Sequence, residues 1–552
     1  MKTSLRKWIV ILIALLLAGC GRYEYDVIIR QGTIYDGSGN PPYVADLAIK
    51  GDRIAAISDL DEQRGKLEIN AAGMAVSPGF INMLSGARVA LIHDGRSLSD
   101  IRQGVTLEII SEGTSMGPLN EKMRKSRLER QTSIKYDIPW TTLGGYLQHL
   151  EDKGVSANIA SFVGATTARI HEVGYANRPA TPQELENMQA LVRQAMEEGA
   201  LGVGSALIYA PANYAPMEEL IALCKVAAEY DGMYISHMRS EGREIFAALD
   251  ELLTIARETG IRAEIYHLKV SRPGNWNKLD EVIRRVEAAQ AEGLQITADM
   301  YTYAASSTGL SAISPTWAQE GGHSAWVKRM QDPVIRPRIR DEIAKELTEQ
   351  PADGILLVGF RNPDMRHLIG KTLAEVATER NADPAETVMN LVIEDDSRIQ
   401  CVYFSMTEDN IRKKVALPWV AFCSDGSSIA PEPPFTNSQP HPRAYGSFAR
   451  LLGKYVREEK IIPLEEAIRR LTLFPASNLK IVDRGSLQED YFADVVVFDP
   501  ATITDHATFE EPHQLATGVH HVFVNGIQVL RHGEHTGAFP GRFVKGPGWK
   551  KE

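Results

Sequence analysis

Apolar and polar positions change period twice along the chain. From Tyr25 to Val76, short β-type runs alternate with turns: Tyr25-Asp-Val-Ile-Ile-Arg30, Thr33-Ile-Tyr35, Ala45-Asp-Leu-Ala-Ile-Lys50 and Arg53-Ile-Ala-Ala-Ile57, punctuated by Gly37-Ser-Gly-Asn-Pro-Pro42 and Gly51-Asp52. The far end repeats this texture in Ala493-Asp-Val-Val-Val-Phe-Asp499 and His521-Val-Phe-Val-Asn-Gly-Ile-Gln-Val529. Between them the period shifts to that of helices. Thr181-Pro182-Gln183-Glu184 is a capping box with proline at the first helical position, and Leu185, Met188, Leu191, Val192 and Ala195 follow as one apolar stripe that stops before Gly199. Ile245, Leu249, Leu252, Leu253 and Ala256 repeat the stripe up to Gly260, and Leu279, Val282, Ile283, Val286 and Ala289 up to Gly293.

Two β segments flanking a long α/β middle predict a small β-sandwich built from both chain ends, residues 20–76 and 481–552. The middle, 77–480, is expected to be a (β/α)8 barrel. A doubly wound sheet shares the strand–helix alternation, but the β segments at both ends favour the barrel. The stretch 307–354, rich in proline, glycine and tryptophan, is expected to be a lid-like insertion over the site.

Residues 1–19 read as a targeting segment. Lys2, Arg6 and Lys7 are basic, Trp8 to Leu17 are apolar but short for a membrane span, and Leu17-Ala18-Gly19-Cys20 resembles a bacterial lipobox. Lipidation of Cys20, with Gly21 rather than aspartate after it, implies a lipid-anchored protein of the cell envelope, on the outer membrane facing the periplasm. The anchor would be its only membrane contact. At 552 residues the chain has room for a barrel and a smaller domain. Its net charge of −11 argues against a nucleic-acid partner. Cys224, Cys401 and Cys423, widely spaced in apolar runs, read as buried thiols rather than a disulfide framework.

The candidate chemistry sits where β-type runs end. His237 closes Met233-Tyr-Ile-Ser-His237 and His267 closes Glu264-Ile-Tyr-His267, about 30 residues apart, one strand–helix repeat of a barrel of about 250 residues. Both would then lie on the C-terminal rim of adjacent strands. Two imidazoles suit zinc, which needs a third protein ligand in a catalytic site, and Glu112, after Val105-Thr-Leu-Glu-Ile-Ile110, is the best source. Asp425, after Val420-Ala-Phe-Cys-Ser424, is the natural general base for a hydrolytic water. A helix cap or an arginine pair is the other reading of Glu112, and a simple turn the other reading of Asp425-Gly426.

Taken together, Ser236-His-Met-Arg-Ser-Glu-Gly242, His267-Leu-Lys269, Asp299-Met-Tyr301-Thr-Tyr303, Ser424-Asp-Gly426, His441-Pro-Arg443 and Ala493-Asp-Val-Val-Val-Phe-Asp-Pro500 resemble the N-acyl-D-amino-acid deacylase (D-aminoacylase) branch of the amidohydrolase superfamily. The resemblance implies zinc held by His237 and His267, with Asp425 as base and Lys269, Tyr301, Ser307 and Arg443 gripping a substrate carboxylate. Arg239, in the first motif, either faces the pocket or braces Glu241. Glu112 falls one residue from the place of the family's cysteine ligand. After Ser77-Pro-Gly-Phe-Ile81, where the family carries His-x-His for a second, weaker metal, this chain has Leu84-Ser85-Gly86. His93 and Asp94 lie close in sequence but are not expected to substitute, so one zinc per chain is expected. The activity implied is hydrolysis of N-acyl-D-amino acids or dipeptide-like small molecules. The alternatives are a lipid-anchored binding relative without catalysis, or a cyclic-amide hydrolase of the dihydroorotase or hydantoinase kind. A bridging carboxylated lysine marks that last branch, and the Glu112 region offers none.

Cys20→Ser is expected to abolish incorporation of labelled palmitate and to shift the protein out of the membrane fraction; unchanged labelling would overturn the lipobox reading.

Overall fold

The computed structural model describes residues 23–550; the targeting segment 1–19 and Cys20 lie outside the described residues. Eight parallel strands make the barrel: β1 (Phe80–Ser85), β2 (Val105–Ile110), β3 (Asn158–Ser161, continued by Val163–Gly164), β4 (Gly202–Ala206), β5 (Met233–His237), β6 (Arg262–Ile265), β7 (Ile296–Met300) and β8 (Val420–Phe422). The ring closes between β1 and the turn after β8. The Asp425 N–H donates to Leu84 O at 2.9 Å and the Gly86 N–H to Gly426 O at 2.8 Å, around a parallel bridge between Ser85 and Gly426. Asn82 braces this seam. Its amide donates to Ser424 Oγ at 2.8 Å, and its side-chain oxygen accepts the Ser424 N–H at 2.9 Å.

Strand residues alternate across the wall, as the two-residue period requires. Ile81, Met83, Leu107, Ile109, Met233, Ile235 and Tyr266 fill the inside. Phe80, Val105, Val203, Tyr234 and Ala263 pack outward under the helices. Each large side chain so buried contributes about 1.5–3 kcal/mol. Helix α1 (Pro182–Glu197) starts on the expected capping box, with Thr181 and Glu184 each accepting the other's backbone N–H. Helix α2 (Ile245–Thr259) stops at Gly260, whose φ of +67° is the left-handed cap that glycine adopts without a Cβ penalty, and α3 (Leu279–Ala291) ends just before Gly293.

The small β domain is built from both ends. Ala75–Pro78 pairs antiparallel with Val495–Phe498, joining five N-terminal strands to four C-terminal ones in one nine-stranded sheet. Val27, Ile29, Leu47, Ile49, Val495, Val497 and Phe523 form its core. Asp494 ties this domain to the barrel: it accepts the Asn525 N–H at 2.8 Å and the amide of Asn158 in β3 at 3.2 Å, and pairs with the buried Arg484 guanidinium. The tail beyond His535 leaves the small domain and crosses the base of the barrel. There the Gly541 N–H meets Val155 O at 2.8 Å and the Val544 N–H meets Ile159 O at 2.8 Å.

The insertion is larger than the sequence suggests. Ser306–Gly309 and Ile355–Gly359 both pair antiparallel with Gln400–Tyr403, so the segment runs on from 354 to 403. It has its own core of Leu310, Trp326, Ile339, Leu357, Val388 and Leu391. The apolar run Ile355–Gly359 is indistinguishable in composition from a barrel strand; only its partner shows that it belongs elsewhere. Cys224, Cys401 and Cys423 are buried free thiols.

Asp494→Ala leaves Arg484 buried without its carboxylate. It is expected to lower the free energy of unfolding by about 3–5 kcal/mol, read as a lower urea midpoint; an unchanged midpoint would show that the buried pair does not stabilise the fold.

Candidate metal centre

Glu112, His237 and His267 converge above the barrel. Glu112 Oε1 lies 2.6 Å from His237 Nδ1 and 3.0 Å from His267 Nε2. The three donor atoms lie within 4.8 Å of one another, and this is the only such cluster around the cavity among the described residues. His237 is the last residue of β5, and His267 lies two residues past β6, with which β5 pairs in parallel register. Glu112 rides the turn after β2, where Gly113 has no room for a side chain: a Cβ there would come 2.5 Å from the Ala206 nitrogen. Ser111, His267 and Asp425 carry φ of 87°, 36° and 45°. Three non-glycine residues in the left-handed region at one rim mark strain held for function.

A second carboxylate, not singled out from the sequence, lies on the other side of the imidazoles. Glu241 Oε1 is 3.4 Å from His237 Nε2, 3.2 Å from His267 Nδ1 and 2.6 Å from Lys269 Nζ. Its sequence signals are its place four residues after a strand-end histidine and its membership of the Ser236–Gly242 motif. Lys269 Nζ also approaches His267 Nδ1 at 2.5 Å. Lys414 props the same turn, donating from Nζ to Leu268 O at 2.6 Å, and burial pushes its ammonium down to about 7.

Asp425 faces Arg443, whose Nη1 lies 2.7 Å from its Oδ2. The arginine opens helix α4 (Arg443–Arg450), stacks over Tyr301 at 4.4 Å and reaches Ser307 O at 3.5 Å. His441 fixes that helix start, accepting the Arg443 N–H at Nδ1 and donating from Nε2 to Ala305 O, each at 3.0 Å. The Tyr301 hydroxyl is buried with no partner. The Ser307 hydroxyl lines the cavity but donates to Cys401 O at 2.9 Å within the insertion sheet.

One expectation changes. Arg239 lines the cavity wall, but its guanidinium is engaged by Glu251 at 2.7 and 2.9 Å and by the carbonyls of Asn213 and Ala215 at 2.8 and 3.1 Å. It braces α2 rather than Glu241, and four of its five N–H groups are already committed. His93 packs edge-on against Phe435, Asp94 is tied to Arg96, and neither lines the cavity. Tyr209 was not foreseen. Its ring meets that of His237 edge-on at 5.2 Å, and its hydroxyl donates to Thr308 Oγ1 at 3.0 Å, joining the insertion to the site.

The cavity has a volume of about 1090 Å³ and is walled on one side by the barrel turns and on the other by the insertion. Its floor is acidic. Burial opposes the charge on Glu112, but His237 and His267 outweigh it and hold the carboxyl well below the usual range. Burial and Lys269 both oppose a proton on His267; Asp425, Glu112 and Glu241 outweigh them and raise it to about 9. Three carboxylates around two imidazoles form a pocket that gains from a cation. The donor set of one carboxylate and two imidazoles fits a divalent transition-metal ion.

The comparisons agree with this architecture. The model of the amidohydrolase family matches residues 137–530. D-aminoacylase of Alcaligenes xylosoxydans xylosoxydans is 33% identical over 524 residues, covering 94% of this chain and 97% of that protein. A solved structure of D-aminoacylase superposes with a TM-score of 0.79 at 32% identity, over 94% of this chain and 100% of that one. N-acyl-D-glutamate deacylase from Bordetella bronchiseptica, solved with zinc and a phosphonate inhibitor, gives 0.80 at 28% identity, over 94% and 99%. The chain belongs to the amidohydrolase family of hydrolases, in the D-aminoacylase group, with that group's barrel and β-sandwich.

Removing the Tyr301 hydroxyl deletes a buried polar atom that has no partner. Tyr301→Phe is expected to leave the free energy of unfolding unchanged or to raise it by about 1 kcal/mol; a loss above about 1 kcal/mol would reveal a structural role for the hydroxyl.

Proposed function

We propose that the protein is a zinc-dependent hydrolase that cleaves the N-acyl amide bond of N-acyl-D-amino acids, with one metal ion per chain. The observation that carries the reading is the convergence of Glu112, His237 and His267 on one point, with the Asp425–Arg443 pair across the same cavity. Glu112, His237 and His267 would hold the zinc, which would supply Lewis acidity and lower the pKa of a water toward about 7. Asp425 takes that water's proton and delivers it to the leaving nitrogen. Arg443 and Lys269, the latter held by Glu241, grip the substrate carboxylate, and Tyr301 offers it an uncommitted hydroxyl. Because Arg443 rests on Asp425, a substrate carboxylate that claims the guanidinium loosens the base for its work.

Leu84 and Gly86 offer no metal ligand, which leaves a single metal position. D-aminoacylase itself is described with a binuclear centre, one-metal activation and second-metal attenuation, a precedent for turnover with one ion. N-acyl-D-glutamate deacylase binds zinc with a phosphonate mimic of a tetrahedral intermediate, which supports water attack on an acyl carbon. A Cys20 lipid anchor would set this activity in the periplasm, on the outer membrane.

Elemental analysis of the purified protein should find about one zinc per chain. Deacylation of an N-acetyl-D-amino acid should fall at least about 10³-fold in Asp425→Asn, the scale of losing a general base together with its charge. A protein that takes up no zinc sinks the reading. A zinc-loaded protein that turns over no N-acyl amino acid, and whose Asp425→Asn variant keeps its ligand affinity, is the binding relative. Turnover of dihydropyrimidines or hydantoins in preference to linear amides makes it a cyclic-amide hydrolase.

A further inference from the structure

A histidine that ligates a metal through one ring nitrogen carries its proton on the other, and that N–H needs an acceptor to fix the tautomer and the ring plane. His237 turns Nδ1, and His267 turns Nε2, toward Glu112. The protons of the metal-binding tautomers therefore sit on His237 Nε2 and His267 Nδ1. Neither has an ordinary acceptor. His237 Nε2 is buried and makes no hydrogen bond. His267 Nδ1 touches Lys269 Nζ, and an ammonium only donates. The one acceptor facing both nitrogens is a single oxygen, Glu241 Oε1, at 3.4 and 3.2 Å. The same oxygen takes Lys269 Nζ at 2.6 Å.

We infer that Glu241 is the positioning residue of the metal centre: one buried carboxylate sets the tautomer and orientation of both imidazole ligands and anchors the lysine that grips the substrate. The inference rests on the metal reading of Glu112, His237 and His267. It also gives Lys269 two settings. With His267 protonated on Nδ1, the ammonium loses its contact with that nitrogen and is left to Glu241 and to an arriving substrate carboxylate. Metal loading and carboxylate capture are thereby linked through one oxygen. Glu241 reaches this place because β5 ends at His237 and the chain turns back over the rim. That turn is held by the Ser271 N–H, which donates to Glu241 O at 2.7 Å.

The test is zinc affinity, measured on the full chain after stripping with a chelator, by competition for zinc alone against a fluorescent chelator. Glu241→Gln is expected to weaken zinc binding 10- to 100-fold. Unchanged zinc affinity in a folded Glu241→Gln overturns the inference. So does full affinity with a collapsed kcat, which would make Glu241 a group acting on the substrate. Wild-type protein that takes up no zinc overturns the metal reading and this inference with it. Should Glu241→Gln not fold, Glu241→Asp carries the test: it keeps the charge but withdraws the oxygen by one methylene, and at least fivefold weaker zinc binding is expected, with unchanged binding overturning the inference.

Discussion

The backbone hydrogen bonds that close the barrel, from Asp425 to Leu84 and from Gly86 to Gly426, set the distance between the two halves of the site. The imidazoles and Glu112 stand on β2, β5 and β6; the candidate base stands beyond β8, on the far side of the sequence. Only ring closure brings them to one cavity. The segment Leu84-Ser85-Gly86, which lacks the family's paired histidines, is the piece of backbone that performs this closure. Asn82 and Ser424 lock the seam from behind, so the turn that carries Asp425 is held on both of its faces.

On this frame the chain concentrates charge at a cost. Glu112, Glu241 and Asp425 are brought together around two imidazoles, and burying such groups is expensive unless each finds a partner. Arg443 serves Asp425, Lys269 serves Glu241, and the imidazoles serve Glu112. The network is balanced but drawn toward positive charge, as the raised His267 shows. A divalent ion relieves that bias. Without it His267 holds a proton instead, so a metal ion and a proton compete for that ring.

The insertion forms one wall of the cavity that holds this site. It is a small body with its own sheet and core, and it meets the site through Tyr209 and Thr308 on one side and through the reach of Arg443 to Ser307 on the other. The proposed carboxylate grip therefore draws on both the barrel and the insertion. Ser307 contributes its main-chain oxygen to Arg443, while its hydroxyl is spent on Cys401.

By itself, the sequence was enough to locate the strand-end histidines, the capping box at Thr181, the glycine stops of the helices and the two-ended β domain. Each of these is written in local periodicity or in residues whose backbone preferences are strong. The barrel and Glu112, His237, His267 and Asp425 were legible for the same reason: each follows an apolar run at a predictable rim. Tertiary structure alone decided the rest. The insertion reaches Tyr403 because Ile355–Gly359 finds Gln400–Tyr403 instead of a barrel neighbour, a choice of partner that composition does not encode. Arg239 turns to Glu251, on helix α2, rather than to Glu241, two residues away in its own motif. Glu241 matters only because a turn of chain folds its carboxylate back between two rings and a lysine. Such convergence depends on distances across the fold, which the order of residues along one chain does not carry.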